Sequence, residues 1–171
     1  MSAPAAPAVT APAVRALTPD DRERLCDLWD RLSPATRMRR FNSTVPCPGP
    51  ALLDAMLDVD GRDRAALAAV DGDDIVAVAR YAAGPGERTA EVAIVVADDW
   101  QRRGLGTRLL TELFGLAARN GFEELWGTTG LANEPLLRLV YDVAPDVHIE
   151  FRPDLQEYDL RLPLGKTSED S

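Results

Sequence analysis

Apolar residues along this chain recur in two rhythms, and the change from one to the other divides it. Leu25, Leu28, Trp29 and Leu32 fall at i, i+3, i+4 and i+7, which is one face of a helix. Thr18-Pro19-Asp20-Asp21 supplies the N-cap, the first-position proline and the acidic first turn that start it. Val14 to Leu17 reads as a short strand before that cap. Ser33-Pro34 repeats the cap-then-proline signal and opens a second short helix, which carries Arg37, Arg39 and Arg40 and ends at Phe41. Proline and glycine dominate from Pro46 to Pro50. A third helix is expected from about Ala51 to Asp58, with Leu52, Leu53, Met56 and Leu57 apolar, before Asp60-Gly61 turns the chain.

The rhythm then shortens to that of strands. Ala65 to Val70, Ile75 to Ala82 and Thr89 to Val96 are joined by Asp71-Gly72-Asp73-Asp74 and Gly84-Pro85-Gly86-Glu87, both with hairpin chemistry. A helix opening at Gly104 sets Leu105, Leu109, Leu113 and Leu116/Ala117 on one side and stops at Asn120-Gly121. Glu124 to Thr129 reads as a strand, Glu134 to Tyr141 as a helix with Pro135 in its first turn, and Val147 to Phe151 with Glu157 to Leu162 as a closing strand pair. The expected class is α/β (α+β), a mixed central sheet with helices on both faces. Residues 1–13, alanine and proline without periodicity, are expected to form a disordered tail, 14–165 one domain, and 166–171 a polar tail.

Composition narrows the function. A chain of 171 residues with 46% apolar content can bury one proper core. It has no apolar run near the ~20 residues that span a bilayer and no signal-peptide pattern, so a cytoplasmic protein without a membrane partner is expected. Cys26 and Cys47 are not in C-x-x-C spacing and His148 is the lone histidine, so neither a metal site nor a redox pair is expected, and both cysteines read as packing residues. A net charge of −9 argues against a nucleic-acid partner and suits a cationic substrate.

Against that acidic background the stretch from Val96 to Leu110 is locally basic. It couples a strand end to a glycine-opened helix, with Arg102, Arg103 and Arg108 in the same turn. Gly104 and Gly106 let backbone approach a ligand, and the first N–H groups of a helix are unpaired donors at its positive end. There is no G-K-[ST] and no third glycine, which sets aside the Walker and dinucleotide loops. Gln101-Arg102-Arg103-Gly104-Leu105-Gly106-Thr107 resembles the acyl-CoA pyrophosphate loop of the GNAT acyltransferases, and Ile94-Val95-Val96 resembles the end of that family's central strand. The resemblance covers nearly all of Val14 to Pro163 and implies the GNAT fold, acetyl-CoA as co-substrate and no metal.

Two further stretches narrow it. Arg31 to Phe41, R-L-S-P-A-T-R-M-R-R-F, is similar to the R-L-S-P-x-[ST]-x-x-x-R-F segment of the bacterial protein lysine acetyltransferases that modify acyl-CoA synthetases. Ala90 to Asp98 is similar to their central strand, glutamate included. The resemblance implies a protein substrate such as an acyl-CoA synthetase. Two other readings stay open: acetylation of a small amine, and a non-catalytic acyl-CoA-binding module. The sequence gives no oligomeric state.

A lysine amine, with a reference pKa of about 10.4, must lose a proton before it attacks a thioester. Strand alternation places Glu91, Ala93 and Val95 on one face, with Glu91 the single ionisable group among apolar neighbours. Partial desolvation there would suit it to act as general base, directly or through a water; the alternative is a glutamate at an exposed edge. A backbone N–H near Val95 is expected to face the oxyanion. Asn133 resembles the family's asparagine near the pantetheine arm, and it is equally a helix N-cap. The tyrosine that often serves the family as general acid lies seven residues after that asparagine. Here Val140 holds that place, and Tyr141 is turned about 100° away on the helix.

Overall fold

The computed structural model describes residues 10–41 and 48–165. In chain order its elements are β1 (Ala13–Ala16), α1 (Arg22–Asp30), α2 (Pro34–Phe41), α3 (Pro50–Leu57), β2 (Arg64–Asp71), β3 (Asp74–Ala82), β4 (Thr89–Val96), α4 (Leu105–Arg119), β5 (Glu124–Gly130), α5 (Glu134–Val143), β6 (His148–Arg152) and β7 (Glu157–Pro163). Every expected element is present with its ends within two residues of those expected, except that the helix capped at Thr18 opens as a tighter turn and α1 itself starts at Arg22. Single turns of tighter helix at Pro19–Asp21 and Asp98–Trp100 precede α1 and follow β4. The expected tails fall mostly outside the described residues, as do Pro46 and Cys47. Cys26 is half-buried against the core.

The strands form one mixed sheet in the order β1-β2-β3-β4-β5-β7-β6. The β2–β3 hairpin closes at Asp71 and Asp74 around Gly72, whose φ of +62° is the left-handed geometry that glycine adopts without strain. The central strands are rich in alanine, a poor strand former. Burial holds them instead. Ala68, Ala69, Ala77, Ala79 and Ala90 are fully buried, and α4 contributes the bulky Leu109 and Leu113, also fully buried. One sheet face receives α4: buried Tyr81 donates to Arg62 O at 2.9 Å and accepts from Asn120 Nδ2 at 2.7 Å, at the end of that helix. The opposite face, with Arg80 and Glu91, receives α2.

The cap before α1 is more than a helix start. Asp21 is 1% exposed and takes two hydrogen bonds from the Arg15 guanidinium of β1, at 2.7 and 2.8 Å, and a third from Thr18 N–H at 2.9 Å. The charge-assisted pair fixes β1 to the first helix. Arg15 first, then the Thr18 N–H, outweigh burial and bring the Asp21 carboxyl from 3.8 down to about 2.

Because the folded value lies below the unfolded one, this contribution is complete above about pH 4 and disappears as pH falls toward 2. With Arg15 partly solvated, we expect Asp21→Asn to cost on the order of 1–2 kcal/mol at pH 7. Urea titrations at pH 7 and near pH 3 check this: the difference between the two proteins should shrink at the lower pH.

Candidate active site

The site begins where two strands part. β4 runs antiparallel to β3 over six residue pairs, from Ala82–Glu91 to Ala77–Val96. Its parallel pairing with β5 lasts for three, Thr89–Glu124, Ala90–Leu125 and Glu91–Trp126. Gly127 stands at the parting, where a β-carbon would come within 3.1 Å of Val92 O. Beyond Glu91 the β5 side of β4 has no strand partner. Ala97 N–H donates to Val76 O at 2.8 Å, and the same parity turns the Val95 N–H toward β3. The backbone groups that face the gap therefore belong to Ile94 and Val96, on either side of Val95, near which the donor is expected.

A cavity of about 940 Å³ occupies this gap and runs to the start of α4. Ten of the twelve expected site residues line it: Glu91, Ile94, Val95, Val96, Gln101, Arg102, Gly104, Gly106, Thr107 and Asn133. The other two do not. Leu105 is buried in the core, and the Arg103 guanidinium lies over the Trp100 ring at 4.9 Å.

The loop ahead of α4 is shaped for an anion. Arg102 and Gly104 have φ of +61° and +76°, two left-handed positions that turn the backbone sharply just ahead of the helix start. No side chain caps α4, which leaves its first N–H groups directed at the cavity. The two glycines serve different ends. Gly104 supplies the left-handed turn, with nothing within 4 Å of a would-be β-carbon. Gly106 lets α4 lie against α5, since its β-carbon would sit 3.2 Å from Leu139 Cδ2. Of the three arginines, only Arg102 lines the cavity: Arg108 donates to Pro12 O at 2.7 Å and pairs with Glu112 at 3.2 Å.

The loop is fastened to α2 and β4 by a short polar network. Gln101 Nε2 donates to Val96 O at 3.0 Å and to Thr36 Oγ1 at 3.3 Å. Asp98 accepts from Ser33 N–H at 2.9 Å and from the Thr36 hydroxyl at 3.1 Å. Partial burial raises the Asp98 pKa, but these donors outweigh it and hold the carboxyl below its usual range. Arg31 reaches Asp99 at 2.8 Å. The Arg31-Leu32-Ser33-Pro34-Ala35-Thr36 segment thus pins α2 to the anion loop. Thr36 lines the cavity and was missed in the sequence, although its place three residues after a capping serine marks it.

Glu91 stands otherwise than expected. It is exposed rather than desolvated, and it is not isolated: Arg40 of α2 and Arg80 of β3 both feel its charge. Asn133 caps α5, accepting weakly from Leu136 N–H at 3.4 Å, and donates to Thr129 Oγ1 at 2.9 Å, while lining the cavity. Among the described residues no cluster could hold a metal ion, and no helix is long and apolar enough to cross a membrane.

The acetyltransferase (GNAT) family model matches residues 24–140, most of the strands and helices that build this cavity. The chain belongs to the GNAT family. Its relatives include acetyltransferase PA5475 of Pseudomonas aeruginosa, 38% identical over 72% of this chain and 68% of that one. Acetyltransferase Pat of Mycolicibacterium smegmatis is 36% identical over 58% of this chain, which spans only 31% of that longer protein. Among solved structures, the GNAT domain of S. lividans PAT superposes with a TM-score of 0.81 at 26% identity, covering 88% of this chain and 89% of that one. A GNAT acetyltransferase draws its acetyl group from acetyl-CoA, and the resemblance read from the glycine loop holds.

No tyrosine of this GNAT domain lines the cavity. Tyr141 is 53% exposed and points to solvent, whereas Val140 is 3% exposed and faces the cavity, as the helical offset implies. Tyr81 and Tyr158 lie elsewhere in the sheet. We expect Tyr141→Phe to keep the maximal acetyl-transfer rate within about threefold, because an exposed hydroxyl contributes little while a general acid contributes orders of magnitude. Comparison of pH–rate profiles checks this; a loss above about a hundredfold together with a vanished basic limb would restore Tyr141 as the acid.

Proposed function

We propose that this GNAT domain transfers the acetyl group of acetyl-CoA to a lysine amine of a protein such as an acyl-CoA synthetase, with Glu91 accepting the amine's proton. One observation carries the reading: Glu91 occupies the last paired position before β4 and β5 part, so it opens into the same cavity as the uncapped start of α4. The lysine assignment draws its support from the Arg31–Phe41 segment and from the likeness to the two proteins named Pat and PAT.

The residues fit such a donor. The N–H groups at the start of α4, with Arg102 beside them, suit a pyrophosphate. The Ile94 and Val96 backbone groups suit an extended amide-bearing arm lying in the gap as a strand would, and Asn133 faces the same gap. Bound there, acetyl-CoA supplies an activated thioester. Glu91 takes the ammonium proton directly or through a water, at a mouth open enough to admit a side chain from another protein. An N–H of Ile94 or Val96 is available to the carbonyl oxygen as negative charge develops on it. No side-chain acid is needed, since a thiolate is a good leaving group near neutral pH.

Glu91→Gln keeps the shape and removes the proton acceptor; turnover is expected to fall about 10²–10⁴-fold with acetyl-CoA affinity unchanged. Near-normal turnover from about pH 6 to 9 would take Glu91 out of the mechanism. Gly104→Asp forces a side chain and a negative charge into the left-handed turn, and calorimetry should show acetyl-CoA affinity lost while circular dichroism stays native. The acceptor is tested by incubating the protein and acetyl-CoA with intact acyl-CoA synthetases, lysine peptides and small amines. Acetylation confined to small amines would replace the protein-lysine reading.

A further inference from the structure

Beside Glu91 the cavity wall carries a charge arrangement that the base role leaves unexplained. Arg40, on the last turn of α2, lines the cavity, and its Nε is shielded from solvent without a hydrogen-bond partner. Arg80, on the β3 face that carries Ala82 opposite Glu91, has a shielded and unpartnered Nε as well. Among the described residues neither guanidinium stands at ion-pair distance from a carboxylate. Arg64, close to Arg80, is engaged by Asp58 and Asp60 at 3.1 Å each. Arg40 lines the cavity with Glu91, while Arg80 stands outside the lining, where the charges of both Glu91 and Asp58 bear on it.

A shielded cation without an anion is costly. Burial first and the neighbouring Arg80 second lower the Arg40 pKa to about 10, with Glu91 opposing them. The Phe41 ring, 4.7 Å from the guanidinium carbon, offers a weak cation–π contact but no acceptor for the N–H groups. Arg40 stands one helical turn along α2 from Thr36, which touches Gln101, and it feels the charge of Glu91, so it lies between the anion loop and the Glu91 end of the cavity.

We infer that Arg40, with the neighbouring charge of Arg80 behind it, forms an anion subsite for the acceptor, so that the amine presented to Glu91 belongs to a molecule with a carboxylate close by. This rests on the acetyl-transfer reading and narrows its substrate class. Two sources share that chemistry: an acidic side chain next to a target lysine, and the α-carboxylate of a free amino acid. Arg40 offers the planar fork that a carboxylate takes bidentately, and it acts by binding the acceptor, not by moving its proton.

The test holds acetyl-CoA saturating and compares kcat/KM for lysine peptides flanked by Asp or Glu with matched peptides flanked by Asn or Gln. Free amino acids are compared with their amides, which separates the two sources. The native protein should favour the carboxylate-bearing member of at least one set by tenfold or more. Arg40→Gln should reduce that ratio at least tenfold, Arg80→Gln should reduce it as well, and Arg40→Lys should keep part of it. Equal use of both members, or a preference that survives both glutamine variants, overturns the subsite while leaving acetyl transfer intact. Binding of glutarate against glutaramide to the CoA-saturated native protein, read by calorimetry, does not depend on turnover. Arg40-dependent glutarate binding without any acetylated acceptor would sink the transferase reading and uphold the subsite. Absence of both glutarate binding and acceptor preference overturns the subsite. Should Arg40→Gln fail to fold by circular dichroism, Arg40→Lys and the native glutarate measurement decide.

Discussion

A parallel strand pair that stops after three residues is the constraint on which this domain turns. β4 is fully laddered to β3 on one side, so its own course is fixed. On the other side β5 leaves it at Glu91–Trp126, with Gly127 allowing the last close approach. An open strand edge inside a folded domain is costly, because its N–H and C=O groups need partners. The cavity lies along that edge, where a ligand able to pair with backbone would meet the cost. Glu91 at one end and the start of α4 at the other are set apart by the length of a strand.

Keeping the gap open requires that its far end be held. Gln101, Thr36, Asp98 and Ser33 do so with hydrogen bonds of 2.9 to 3.3 Å that join β4, the loop before α4 and the first turn of α2. These are among the residues that a motif search would assign to ligand contact, yet their side chains are spent on one another. At the start of α4 the groups left without a cap are backbone N–H groups, which no side-chain substitution removes directly. The same division applies to the glycines: one makes a turn, the other makes room for Leu139.

Charge in the domain is arranged by position more than by total. The net −9 is spread over the surface, while the cavity receives Arg39, Arg40, Arg102 and Arg138 together with Glu91, Glu134 and Asp142. Exposed ion pairs such as Arg88–Glu123 contribute little in water. The Arg15–Asp21 pair, with its carboxylate fully withdrawn from solvent, is the one that fastens an edge strand to the first helix.

Periodicity and caps by themselves determined the elements: three helices between the first strand and the rest, the glycine-opened α4, and the offset that turns Tyr141 out and Val140 in. These depend on residues a few positions apart, and local geometry dictates them. The loop Gln101–Thr107 was legible too, as a family likeness and as an uncapped helix start. What the tertiary structure alone decided depends on residues far apart in sequence. Burial of Glu91 could not be judged from its apolar strand neighbours, because its actual neighbours are Arg40, roughly fifty residues earlier, and Arg80 across the ladder. Which N–H groups near Val95 face the gap, those of Ile94 and Val96, follows from ladder parity set by pairing with β3. Arg103 and Arg108 are drawn away from the turn by Trp100, Pro12 and Glu112, partners that spacing along the chain does not reveal.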